Sequence, residues 1–339
     1  MWARLRALPP YIGGKRRLLG QIFKHMPKPE KAPVLVDAFL GGGSVSLFGK
    51  ARGYRVLCND IALRGQIVGK ALIENDHVTL TPEDVTRLFV EDGDGPGFIE
   101  QNFARGVLTA KHARFLDGAF SVARQVEGVK GWLLLLLLTR YILHVRPMGC
   151  DFGARTIMQQ AEDGDWEKVN PNYLRQMVRK NVTGHPKAIA DSLLEAINAG
   201  VFSNGQRNEV CRLDVFDFLK QVEGDILYLD PPYAGVLAYE SQLKPLDCIL
   251  EGKMVSGEVS VFSRAGAEDA MERLFDAAEK FPLWVISYGN ATMGLGDLVG
   301  LVSKFRQIVH AEEILHNHLP SLMGEDRRNA NRELLVVAR

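Results

Sequence analysis

Apolar residues fall into two rhythms along this chain. Toward both ends they come as short runs closed by polar or glycine-rich corners; through the middle they spread into longer helical stretches. The segment "VLVDAF" (34–39) is such a short run, and Gly41, Gly42 and Gly43 follow it directly. "SVSLFGKARG" (44–53) reads as an amphipathic helix, with Ser44 the expected N-cap and Gly53 the expected stop. "YRVLCND" (54–60) is a second strand. Strand, glycine loop, helix, strand is a βαβ start, which predicts a parallel sheet. Residues 62–200 lose that rhythm and read as helices separated by polar breaks such as "EDGDGPG" (91–97) and "AEDGDWEKVNPN" (161–172). Strands are predicted again near 199–203, 209–213, 225–229, 282–287, 307–315 and 332–338. The architecture expected is an α/β domain built from both ends of the chain (1–62 and 201–339), interrupted by a mostly helical insert (63–200).

Length supports this picture, since 339 residues exceed what one core usually fills. The run "WLLLLLLTRYIL" (132–143) is too short to span a bilayer and contains an arginine, so a buried helix is expected, with no membrane role. The basic start "MWARLRALPPYIGG" has no apolar core after it, and no secretory signal is expected there. Cys58, Cys150, Cys211 and Cys248 are scattered without a CxxC pair, which points to a reducing compartment rather than a disulfide framework or zinc site.

Charge sharpens the reading. The net formal charge is zero, yet residues 1–31 carry 8 Lys/Arg against 1 Asp/Glu, and residues 101–190 carry 13 against 7. Two basic segments on an otherwise acidic chain suggest a localised surface for a polyanion.

Two corners carry candidate chemistry. "DAFLGGGSV" (37–45), between strand and helix, lets backbone approach a ligand at the helix N-terminus. Asp60 ends the next strand, where an acid can accept from ribose hydroxyls. A nicotinamide site needs only these parts, but the spelling departs from GxGxxG. The second corner is "YLDPPYAG" (228–235). Adenine N6 is a poor nucleophile because its lone pair is delocalised into the ring. It needs acceptors for its two hydrogens, which aim the lone pair outward. Asp230 offers a carboxylate, Pro231 a carbonyl in a corner stiffened by Pro232, and Tyr233 a ring that can stack on the base. The corner also follows a strand at its C-terminal end, where open α/β sheets bind ligands.

Taken together these residues resemble the Dam-type (alpha group) DNA adenine-N6 methyltransferases. "YIGGKRRLL" (11–19) is similar to that family's N-terminal element, "DAFLGGGSV" to its S-adenosylmethionine loop, "CNDI" (58–61) to its acidic strand end, "YLDPPYAG" to its catalytic corner and "NRELLVVAR" (331–339) to its closing strand. The resemblance implies a Rossmann-like S-adenosylmethionine-dependent sheet and a helical target-recognition insert. It implies Tyr11, Lys15, Asp37, Phe39, Gly41, Gly43, Asp60, Asp214 and Asp230 as cofactor-binding residues, and Asp230, Pro231 and Tyr233 as catalytic ones. Asp214 reads equally well as a helix N-cap.

The implied reaction moves a methyl group from S-adenosylmethionine to N6 of an adenine flipped out of double-stranded DNA, with no metal expected. Cytosine-N4 methylation, RNA adenine methylation and a lapsed DNA- or cofactor-binding protein are the alternatives. Cytosine-C5 chemistry needs a cysteine nucleophile, usually beside proline, and this chain has no Pro-Cys pair. Arg140, Arg146 and Arg155 in "RYILHVRPMGCDFGAR" (140–155) are the candidate DNA contacts; the family's recognition hairpin is only faintly matched, so the target sequence does not carry over. A monomer is expected, in the cytoplasm with the DNA; a cognate restriction endonuclease is an open question. Two nuclease-like strings, "PLDCILEGK" (245–253) and "HNH" (316–318), lack the strand hairpin or partner ligands that such metal sites need.

Overall fold

The computed structural model describes residues 2–10, 13–90, 95–146, 163–165, 167, 171, 174–175, 178, 182–232, 239–256, 260–263, 267–315 and 331–339. Seven strands form one sheet: β1 (Val34–Asp37), β2 (Arg55–Asn59), β3 (Glu209–Cys211), β4 (Ile226–Leu229), β5 (Leu283–Gly289), β6 (Ile308–Leu315) and β7 (Arg332–Ala338). Their order is β3-β2-β1-β4-β5-β7-β6, and all run parallel except β7, which is antiparallel to both β5 and β6. The chain builds outward from β1 through β2 and β3, then returns to the other side of β1 with β4. Strand order therefore reverses between β1 and β4, and ligands of open α/β sheets bind at the carboxyl ends of the strands at such a point.

Alternation along the strands divides the core into two layers. Leu35, Val56, Ile226, Val285 and Val337 face one side; Val36, Leu57, Leu227, Trp284 and Val336 face the other. The first side is covered by α1 (Leu19–Lys24), α2 (Ser44–Arg52), α3 (Leu63–Val68), α4 (Ala110–Gln125), α5 (Gly128–Val145) and α6 (Pro186–Asn198). The second is covered by α7 (Val215–Gln221), α9 (Ala267–Ala278) and α10 (Leu295–Val302); α8 (Tyr239–Glu251) lies on the first. Helices drawn from residues 63–200 thus share one continuous core with the sheet.

The leucine run lies in α5. This helix is long and apolar enough to cross a membrane by length and composition, but Leu133, Leu134, Leu136, Leu137 and Leu138 are buried in the core. The strand predicted at 199–203 is absent. Helix α6 runs to Asn198, and the chain then crosses to β3 without a neighbouring strand to pair with. Asn204 fixes that crossing by donating to the carbonyls of Lys50 (3.0 Å) and Tyr54 (2.8 Å). Helix α2 also differs from its predicted start. Gly43 takes the N-cap position and Ser44 is already helical, while Gly53 ends the helix in the left-handed conformation as expected. Nor is α2 amphipathic: all of Ser44–Lys50 is buried, because both the sheet and α1 pack on it.

Candidate active site

Three predicted acids meet at the carboxyl ends of β1, β2 and β4. Asp37 is the last residue of β1 and pairs in register with Tyr228 of β4, and the Ala38 amide donates to the Tyr228 carbonyl (3.2 Å). Asp230 follows β4 directly, so it stands beside Asp37 where the strand order reverses. Burial, together with Asp230 and Asp60 nearby, raises the Asp37 carboxyl to about 7, although the Ser46 hydroxyl donates to it at 2.7 Å.

Lys15 holds the cluster together. It is 2% exposed, and its ammonium reaches Asp230 Oδ1 (2.9 Å), Glu333 Oε1 (3.2 Å) and the Gly13 carbonyl (3.0 Å). Those three contacts match the three hydrogens of an ammonium. Burial alone would depress the lysine, but the two carboxylates outweigh it and hold its pKa above the ordinary value. Glu333 lies on β7 and is 1% exposed. The N-terminal segment, the DPP corner and the closing strand therefore converge on one ammonium.

The glycine loop closes the other wall. Gly41 and Gly43 take positive φ (51° and 75°). A Cβ at Gly43 would stand 2.6 Å from Val68 Cγ1, so helix α3 leaves no room for a side chain there. Asp60 spans this loop and the start of α3: its Oδ2 accepts from the Gly41 amide and its Oδ1 from the Ala62 amide, both at 2.8 Å. Burial raises its pKa, while Arg64 and these amides pull the other way. Arg64 in turn pairs with Asp247 of α8, the helix that follows the DPP corner. A cavity beside the loop is lined by Pro9, Pro10, Gly41, Arg64, Val68 and Thr139.

The remaining predicted residues are placed as follows. Pro231 is buried and Pro232 half-buried next to Asp230. Phe39 is half-buried and meets Phe262 edge-to-face, ring centroids 5.5 Å apart. Asp214 is exposed and caps α7 by accepting from the Phe216 amide (2.9 Å), which is its alternative reading. Tyr11, Tyr233 and Arg155 lie outside the described residues, as does the string 316–318. Asp247, from the other nuclease-like string, is helical and engaged with Arg64.

Of the arginines, Arg146 caps α5 and is 7% exposed. Arg140 sits one turn and a half earlier on α5, within electrostatic reach of Arg16 and Arg6. Burial first, and those two guanidiniums second, lower its pKa to about 10, so it stays cationic at neutral pH. Arg16 donates to the carbonyls of Leu8 and Pro9, both at 2.8 Å, and Arg140 Nη1 is buried with no hydrogen-bond partner among the described residues. The two basic segments of the sequence thus meet at one spot. Sequence reasoning missed Glu333, Arg64 and this pairing. An acid opening the apolar run "ELLVVA" was the signal for Glu333; nothing local marked the other two.

Comparison with known proteins agrees with the geometry. The model of the family described as D12 class N6 adenine-specific DNA methyltransferase matches residues 11–125, which hold the Lys15 element, the glycine loop and Asp60. Over those residues the chain is similar to this family. Over 338 residues, 96% of each chain, the chain is also 26% identical to the type II methyltransferase M2.HphI of Haemophilus parahaemolyticus. Both comparisons support the adenine-N6 DNA methyltransferase activity expected from the sequence, and the seven-stranded sheet is consistent with it.

Proposed function

We propose that Asp230 and the Pro231 carbonyl accept the two N6 hydrogens of an adenine flipped out of double-stranded DNA, and that Tyr233 stacks on its ring. The observation that carries this reading is Asp230 beside Asp37 at the switch point, clamped by Lys15. S-adenosylmethionine fits the residues around it. The positive-φ glycines let backbone come close, Asp60 has a carboxylate for ribose hydroxyls, and the Asp37–Asp60–Asp230 cluster, with one lysine inside it, favours a cationic ligand. When bound, this cofactor supplies an electrophilic methyl on a sulfonium and leaves as the neutral thioether. Lys15 holds the Asp230 carboxylate in place; Asp230 and Pro231 turn the N6 lone pair outward; N6 then sheds one proton to water past Asp230, restoring a neutral amine. Lys15, Asp37, Phe39, Gly41, Gly43 and Asp60 would hold the cofactor.

Arg6, Arg16 and Arg140 supply a phosphate-binding spot, and residues 63–200 the remaining contacts that select the target. The enzyme would act as a monomer in the cytoplasm, on the DNA itself. Incubation of duplex DNA with methyl-labelled S-adenosylmethionine, followed by digestion to nucleosides, tests the substrate atom. Label in N6-methyl-2′-deoxyadenosine is expected; label in N4-methyl-2′-deoxycytidine would transfer the same acceptor geometry to cytosine.

A further inference from the structure

The geometry points to a second binding site, for a single divalent transition-metal ion such as zinc, formed by His25, His310 and Glu312 at the edge strand β6, which β5 and β7 separate from β4 and Asp230. His25 is the C-terminal cap of α1; His310 and Glu312 alternate on one face of β6, the edge strand, just after a register shift between Ile308 and His310. Glu312 Oε1 lies 3.3 Å from His310 Nε2 and 3.7 Å from His25 Nε2, and one ligand atom from each of the three residues lies within 4.8 Å of the others. A zinc ion with bonds of about 2.0–2.1 Å sets its tetrahedral ligands about 3.4 Å apart, so two edges of the triangle already have the required length.

A second observation points the same way. Both Nε2 atoms are buried and have no hydrogen-bond partner among the described residues. Two imidazole nitrogens withdrawn from water both face one carboxylate oxygen at ion-pair distance, a ligand set gathered around one point. The rings are stacked, with centroids 4.1 Å apart and planes 22° apart. Stacked rings keep their lone pairs in nearly parallel planes, so one imidazole must turn about its Cβ–Cγ bond to converge on a shared ion; that torsion is broad and soft. A solvent molecule would complete the shell, because Glu312 and His310 are 37% and 36% exposed. Bound metal would tie α1, and with it the segment that carries Lys15, to the edge of the sheet.

The test is zinc competition against a chromophoric chelator, using the intact purified protein. The expected result is one tight site per chain in the wild type. That site should be lost in His310→Asn and in His25→Asn, and weakened at least tenfold in Glu312→Gln, with circular dichroism and methyl-transfer rate unchanged. A zinc-dependent rise in melting temperature should vanish in the same variants. Absence of a tight site in the wild type, or its survival in His310→Asn and His25→Asn, overturns the proposal. Because none of the three side chains touches the catalytic cluster, this result is independent of the reading of Asp230.

Discussion

Cofactor binding should release a proton, and the pH at which it does so is fixed by Asp37. In the fold this carboxyl titrates at about 7, against 3.8 as its ordinary value, because it is buried and sees Asp230 and Asp60. The sign follows from that shift. Its protonated form stabilises the fold fully below the unfolded value, and this contribution is lost as pH rises through about 7. A cation brought within about 4 Å at an effective dielectric near 20 is worth about 4 kcal/mol. That is enough to hold Asp37 ionised through the neutral range in the complex. S-adenosylmethionine binding should then release about 0.9 proton at pH 6, about 0.5 at pH 7 and about 0.1 at pH 8. Calorimetry in buffers of different ionisation enthalpy counts those protons. S-adenosylhomocysteine, which lacks the sulfonium charge, should release fewer, and Asp37→Asn should remove the pH dependence. Proton release that is zero at both pH 6 and pH 7, or unchanged in Asp37→Asn, would refute the electrostatic coupling.

Three further outcomes follow from the same geometry. Lys15→Met leaves Asp230 and Glu333 without their cation and should cost about 3–5 kcal/mol in urea unfolding, more than Glu333→Gln does; a loss under 1 kcal/mol would contradict the clamp. Gly43→Ala forces a Cβ against Val68 at positive φ and should cost about 2–4 kcal/mol, while weakening cofactor binding measured by calorimetry. Arg140→Gln should lessen the salt dependence of DNA binding by about 0.9 in the log–log slope, and an unchanged slope would remove that residue from the phosphate contacts.

How much of this was legible beforehand depended on the range of the interaction. The βαβ start, the glycine loop and the DPP corner are local: each is written in a few consecutive letters, and each lies where the pattern put it. The strand at 199–203 failed because an apolar stretch becomes a strand only beside a partner, and Val201 and Phe202 found the core without one. Ser44 failed as a cap because the loop needed a left-handed residue at the position before it, which only glycine fills cheaply. Glu333 and the Arg6–Arg16–Arg140 cluster were hidden for a different reason. Lys15 and Glu333 are separated by most of the chain, and the arginines of the two basic segments by more than a third of it; only the sheet topology and the packing of α5 bring them together.

The central claim is that the Asp230 carboxylate activates adenine N6, and single-turnover methylation of duplex DNA at saturating cofactor tests it most directly. Asp230→Asn keeps the size of the side chain and removes the charged acceptor. The methyl-transfer rate should fall about a hundredfold to a thousandfold, with the loss in the chemical step rather than in DNA binding. A folded Asp230→Asn variant that forms N6-methyladenine at close to the wild-type rate would contradict the account.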